Sequence, residues 1–263
     1  MILKPPKGAL LNRGHPLACG MVGCWLMNEG SGVRVTDLSR NGNHGTFTSA
    51  AAWTAGAFGP CVVFPTATNT VDCGSGSLTK IGLSDMSGAA WVKIDTLAGG
   101  YQSVLHAGAT STTTEGWYFG YYNPNQYLAF ALCNGVNRTV FNSGSGTAAV
   151  LDDLKWHLWA FSATRSGSVK FYIDGRPIGE SGISARATQN IIGTATLYIG
   201  SSAGTFDLLG RVDDALLWRR ALSASEIAHL YRNPFAMFRR PRIELWSAAT
   251  QGAGGEPPAA VQY

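Results

Sequence analysis

Residues 155–163 read KWHLWAFSA, and this alternation constrains the fold more than any other stretch of the chain. Successive side chains of an extended strand point to opposite faces. Trp156, Leu158, Ala160 and Ser162 share one face, and His157, Trp159, Phe161 and Ala163 share the other. Both faces carry bulk, so the strand must be covered on both sides and sit inside a sheet. Residues 164–167 (TRSG) then form a hairpin loop, and residues 168–173 return. Asp174-Gly175 is a tight-turn signal, because such a turn needs left-handed backbone that Asp and Gly tolerate. Residues 176–179 complete a second hairpin.

The same reading extends along the chain. Residues 21–28 (MVGCWLMN) form a short apolar strand, followed by the turn Glu29-Gly30-Ser31-Gly32. Residues 33–38 are briefly extended, and residues 39–45 (SRNGNHG) are a loop. Residues 60–64 and 70–73 are expected to pair. Residues 87–95 (SGAAWVKID) alternate and are rich in β-formers. Residues 101–107, 116–122 and 126–133 predict a meander, with 137–142 a weaker strand. Residues 196–200 and 208–218 supply the last strands. One helix is expected: Ser223 is an N-cap with Glu226 three residues on, and Asn233-Pro234 stops it. The 33 glycines suit the turns between many short strands. These elements predict an all-β, two-sheet antiparallel sandwich with one short C-terminal helix.

The chain divides into an N-terminal arm (1–20), the sandwich (21–234) and a C-terminal arm (235–263). Phe235, Met237, Phe238, Ile243 and Trp246 are too apolar for a free tail and require a surface, on this domain or on a neighbour. Arg232, Arg239, Arg240 and Arg242 crowd the same region. A net charge of +4 does not by itself call for nucleic acid. Only 14% of residues are charged, so the outer faces are weakly polar, as in chains that contact a larger assembly. No stretch approaches the ~18 apolar residues of a membrane span, and the first residues lack the apolar core of a signal peptide. The expectation is synthesis in a cytosol. The five cysteines, an odd number without a CxxC pair, are expected to be buried small hydrophobes rather than disulfides or zinc ligands.

Two stretches resemble the laminin G-like (LamG type 3) branch of the concanavalin A-like jelly rolls. Residues 22–45 (VGCWLMNEGSGVRVTDLSRNGNHG) resemble its opening: an aromatic strand, E-G-S-G, then D-x-S-x-N-G-N-x-G. Residues 210–234 (GRVDDALLWRRALSASEIAHLYRNP) resemble its ending. Trp156-His157, residues 169–175 (VKFYIDG) and residues 197–202 (LYIGSS) match the motifs between. The resemblance implies a jelly-roll sandwich and a noncatalytic binding, adhesive or spacer role; fold alone cannot name a ligand. It also implies a structural calcium near the chain ends. The oxygens available from the matching motifs are those of Glu29, Asp37, Asn41, Asn43, Asp213 and Asp214. The plainer alternative is that Asp37 and the two asparagines form turns. No cofactor is required.

Catalytic patterns are not found. The E-x-D-x-x-E strand that aligns acids for glycan cleavage is missing. Asp213 and Asp214 are adjacent and would point to opposite faces if extended. Residues 200–204 (GSSAG) fit G-x-S-x-G, but a strand follows where a nucleophile elbow needs a helix. An aromatic set surrounds the turn Asn123-Pro124-Asn125, and Trp117, Tyr121 and Tyr122 are candidate stacking residues for a sugar or partner. Arg239, Arg240, Arg242 and Trp246 are candidate partner contacts in the arm. An enzyme of the same fold, a lyase or hydrolase, would need a carboxylate pair or a Tyr/His pair on the concave strands, and none is located; two other functions carry more weight. One is a virion protein, a phage capsid-decoration or tail-associated component made in the host cytoplasm, contacting other virion proteins or its own copies through the arms. The other is a carbohydrate-binding or adhesion module, extracellular and unconnected with a virus.

Overall fold

The computed structural model describes residues 2–238, apart from 49–50, 67, 77–79, 98, 110 and 201–205. The strands are β1 (Met21–Trp25), β2 (Arg34–Val35), β3 (Gly45–Thr48), β4 (Ala52–Ala55), β5 (Pro60–Phe64), β6 (Thr70–Asp72), β7 (Met86–Ile94) and β8 (Tyr101–Ala107). There follow β9 (Gly116–Tyr122), β10 (Tyr127–Cys133), β11 (Arg138–Asn142), β12 (His157–Ala163), β13 (Ser168–Ile173), β14 (Arg176–Gly182), β15 (Tyr198–Gly200) and β16 (Gly210–Trp218). Among the described residues there is one α-helix, α1 (Ala224–Arg232), after the last strand.

Two antiparallel sheets face each other. The first runs β14-β13-β12-β7-β16-β5-β4, with β1 also paired to β16. The second runs β11-β10-β9-β8-β15-β6-β3-β2. This is the expected sandwich. β12 lies between β7 and β13, as its two bulky faces required. Its inward face packs across the sandwich: Phe161 stacks on Phe130 at 4.6 Å and meets Phe119 at a tilt at 4.8 Å between ring centroids. The meander β8-β9-β10 forms as read.

Residues 60–64 and 70–73 do not pair. β5 joins β4 and β16 in the first sheet, whereas β6 joins β3 and β15 in the second. The chain changes sheet between the end of β5 at Phe64 and the start of β6 at Thr70. Asn69 Oδ1 makes the corner by accepting from Thr66 N and Thr66 Oγ1, both at 2.8 Å. β3 and β4 are further strands that the sequence concealed, since GTFT and AWTA carry little apolar alternation.

The outer face of the first sheet is covered by described residues from before β1 and from α1 to Phe238. Leu11 and Leu17 from the first twenty residues, Ile227 and Leu230 from α1, and Met237 and Phe238 beyond it bury against this sheet. Asn12 N donates to Met237 O at 2.8 Å, and Trp218 Nε1 donates to Leu17 O at 2.7 Å. The apolar residues of the C-terminal arm therefore find their surface on this domain as far as Phe238. Ser223 and Glu226 form the expected reciprocal capping box. Asp174 and Gly175 both have positive φ, the conformation their turn demands. A Cβ on Gly175 would meet the Tyr231 Cβ at 2.9 Å, so the bare turn also seats α1. All five cysteines are free; Cys19 is exposed, contrary to expectation, because it lies in the loop before β1.

His157 clasps this region. Its Nδ1 is 2.7 Å from Asp174 Oδ2 and its Nε2 is 3.0 Å from Asp153 Oδ1. The hydrogen bond to Asp174 raises the histidine's pKa against burial, with Asp153 adding to it. Burial works to raise Asp153, but hydrogen bonds from His157 and Lys155 bring it down to about 2. The histidine's contribution is full below its unfolded pKa of about 6.5 and fades as pH rises through the raised folded value. The aspartate's is present above its unfolded value of about 3.9 and fades as pH falls through the folded one. The clasp should thus stabilise most between about pH 4 and 6.5. Melting curves across pH for the native chain and His157→Gln should differ most in that window and converge at alkaline pH. A constant difference across the range would contradict the clasp.

Candidate ligand-binding face

The second sheet turns one face to the core, and none of the described terminal residues (2–20 and 224–238) packs into the aromatic cluster on its other face. Cross-strand register builds a row on that outer face: Tyr101 of β8 lies opposite Tyr122 of β9, and Tyr122 lies opposite Tyr127 of β10. All three are half-buried. Tyr101 and Tyr122 have ring centroids 4.4 Å apart, and Tyr122 stacks on Tyr127 at 5.1 Å. The Tyr101 and Tyr127 hydroxyls approach to 3.4 Å. Burial, then this contact, raises the pKa of Tyr127, so its hydroxyl stays protonated and can both donate and accept. The next row of the same face is small: Ser103, Gly120 and Ala129. Beyond it stands Tyr118, fully buried, and Phe206 packs on both Tyr101 and Tyr118 at 5.1 Å. The Arg138 guanidinium lies 5.7 Å from the Phe206 ring centre. The result is an aromatic ledge with hydroxyl groups at its edge and a cation nearby.

Sequence reasoning placed Trp117, Tyr121 and Tyr122 at such a site. Only Tyr122 is on it. Trp117 and Tyr121 alternate with the outward residues and point into the sandwich, where both are fully buried. Tyr121 packs on Trp159 at 5.9 Å, and its hydroxyl donates to Asp152 at 2.7 Å. Tyr101 and Phe206 were missed because they are distant in sequence and only strand register brings them to Tyr122. Arg239, Arg240, Arg242 and Trp246 lie outside the described residues, as does Ser202 of the GSSAG stretch.

The same face holds a serine–histidine contact, Ser103 Oγ to His106 Nδ1 at 3.1 Å. Burial drives the His106 pKa down to about 3, which makes it a weak base at neutral pH. Among the described residues no carboxylate hydrogen-bonds to it, and both side chains are buried. The pair is a packing feature, filled out by Tyr198 stacked on the imidazole at 5.2 Å.

The residues expected to hold calcium do not assemble a centre. Asp37 is a hydrogen-bond hub. It accepts from Cys24 N (3.0 Å), Ser39 N and Ser39 Oγ (both 2.8 Å), and Asn43 N (3.0 Å). Asn41 and Asn43 each donate through Nδ2 to Val22 O, at 3.1 and 3.3 Å. Glu29 Oε1 accepts from Thr36 N at 2.8 Å. Asp213 is ion-paired with Lys4 instead. With Asp37 saturated by N–H and O–H donors, its oxygens have no lone pairs aimed at a shared cation. Among the described residues no three His, Cys, Asp or Glu side chains gather as metal ligands. The 37–43 loop is built by turn chemistry, and its own donor set does not fit the metal. Asp213 and Asp214 share a buried site elsewhere. Burial raises both, Asp214 well above the usual carboxylate range, while the Lys4 ammonium opposes the rise.

A family model described as the concanavalin A-like lectin/glucanases superfamily (laminin G type 3) matches residues 65–228, more than half of the chain. No curated protein matches the chain in sequence. Among solved structures, the binding domain of Paraclostridial mosquitocidal protein 1 superposes with a TM-score of 0.67 at 14% identity, covering 84% of this chain and 53% of that one. Domain 4 of the extracellular arabinanase AbnA from Geobacillus stearothermophilus, in complex with arabinotriose, gives 0.57 at 17% identity, over 80% and 98% of the two chains. The sialidase of Trypanosoma rangeli, in complex with sialic acid, gives 0.58 at 20% identity, over 83% and 33%. The chain thus spans about half of the toxin domain and a third of the sialidase. At these identities the likeness is one of fold.

Proposed function

The chain belongs to the concanavalin A-like lectin/glucanases superfamily, and from that premise we propose that it is a noncatalytic binding module that holds an oligosaccharide against Tyr101, Tyr122 and Tyr127. One observation carries the reading: three half-buried tyrosines, contiguous across three strands, on the outer face of the second sheet. Sugar rings present apolar C–H faces that pack on aromatic rings, while tyrosine hydroxyls and Arg138 can reach their hydroxyl groups. Two of the structural neighbours are complexes with sugars, arabinotriose and sialic acid, which supports a carbohydrate ligand. The low basicity of His106 supports binding without catalysis.

A glycan array followed by titration of the best oligosaccharide tests this. Tyr101→Ala, Tyr122→Ala and Tyr127→Ala should each weaken binding about 3- to 10-fold, the value of one aromatic contact, with melting behaviour preserved. Affinity unmoved by all three changes would refute the site.

We further propose the virion surface as its setting, in a capsid-decoration or tail-associated role. Its support is narrower than the sequence suggested, since the arms as far as Phe238 bury against the chain's own sheet. It now rests on residues 239–263, which carry Arg239, Arg240, Arg242 and Trp246. Deleting 239–263 should abolish particle association while the sandwich still folds.

A further inference from the structure

β16 breaks its pairing with β7 between Val212 and Ala215. Adjacent residues of a regular strand face opposite ways, but this bulge turns Asp213 and Asp214 toward one point. The Lys4 ammonium occupies that point. It pairs with Asp213 Oδ1, lies 3.7 Å from Asp214 Oδ1, and donates to Met27 O at 3.1 Å and Pro60 O at 2.5 Å. The Lys4 side chain is 4% exposed, and those of Asp213 and Asp214 are 0% and 3% exposed. Two carboxylates and two carbonyls around one buried charge are the hard-oxygen donor set that a divalent cation takes.

The surroundings hold the arrangement. Phe58 N donates to Asp213 Oδ2 at 3.0 Å. A Cβ on Gly56 would meet the same oxygen at 2.5 Å, so the loop before β5 must be bare there. Asn28 Nδ2 donates to Pro5 O at 2.9 Å, which fixes the chain just after Lys4. Among the described residues neither oxygen of Asp214 has a hydrogen-bond partner, although the residue is only 2% exposed. A buried carboxyl aimed at a cation and otherwise unpartnered marks the place as a charge site rather than a turn.

We propose that the Asp213–Asp214 bulge is a cation site whose resident cation is Lys4, so that the N-terminal segment carries the positive charge a bound divalent metal would otherwise supply. The calcium implied by the fold family is thereby replaced by a side chain from this chain. The N-terminal segment is latched to the sandwich by that charge, and the protein's stability is independent of metal.

Amine labelling of the native full-length chain, read by mass spectrometry, tests the latch directly. Lys4 should be modified at least about 100-fold more slowly than the exposed Lys7, since labelling must await an opening of the buried site. Millimolar calcium should leave that protection unchanged. In a second measurement, calcium and chelator should leave the native melting temperature unmoved. Lys4→Met should melt roughly 10 °C lower, and calcium should raise the variant's melting temperature by occupying the vacated oxygens. Equal labelling of Lys4 and Lys7, or calcium raising the native melting temperature, would overturn the proposal. So would a Lys4→Met protein indifferent to calcium. Should Lys4→Met fail to fold, the labelling ratio still decides.

Discussion

Asp37→Ala is expected to destabilise the domain by about 4 kcal/mol, one of the largest effects of any single polar substitution in this chain. Asp37 is 4% exposed and collects N–H and O–H donors from Cys24, Ser39 and Asn43. Each buried donor left unsatisfied costs about 1–3 kcal/mol. The loop also positions the Asn43 carbonyl, which accepts from Trp25 Nε1 at 2.7 Å, so its loss reaches the core. Asp37→Asn keeps the shape and one good acceptor oxygen, and should cost about half as much. Urea unfolding of the two variants measures the difference. The native protein should give the same curve in calcium and in chelator. If chelator reproduced the Asp37→Ala loss, Asp37 would be a metal ligand and not a turn hub.

Gly120→Ala should be nearly as damaging and should also abolish ligand binding. A Cβ there would lie 2.2 Å from Gln102 O and 2.9 Å from the Ser103 Cα, both backbone atoms that cannot rotate aside. β9 would have to move away from β8, at a cost of about 3 kcal/mol or more. The contact broken is the one that sets Tyr101 against Tyr122. The variant should therefore lose affinity even where enough protein remains folded. Ala129→Gly, one strand across, removes a methyl without moving backbone and should retain binding within a few-fold. Thermal melts paired with ligand titration separate the two effects.

The pattern of residues 155–163, the meander of 101–133 and the capping box at Ser223 were legible because each is a local regularity. Period-two alternation and a cap need no knowledge of the rest of the chain. The site was less legible because it depends on register. Tyr101, Tyr122 and Tyr127 meet only through pairing across three strands, and sequence alternation alone could not say that Trp117 and Tyr121 face inward. Asp213 and Asp214 illustrate the same limit: adjacency predicts opposed side chains, and a bulge reverses the prediction. Lys4 comes from the far end of the chain, in a segment with no period at all. Its role is a tertiary fact, as is the covering of the first sheet by residues on either side of the sandwich motifs.

The claim that the tyrosine row is the binding surface can be tested by a nuclear magnetic resonance titration of the native chain with its array-selected oligosaccharide. The account predicts shift changes concentrated at Tyr101, Tyr122, Tyr127 and Arg138, with the α1 and Lys4 regions unmoved. Shifts centred on α1, on the 37–43 loop, or nowhere at saturating ligand would contradict it.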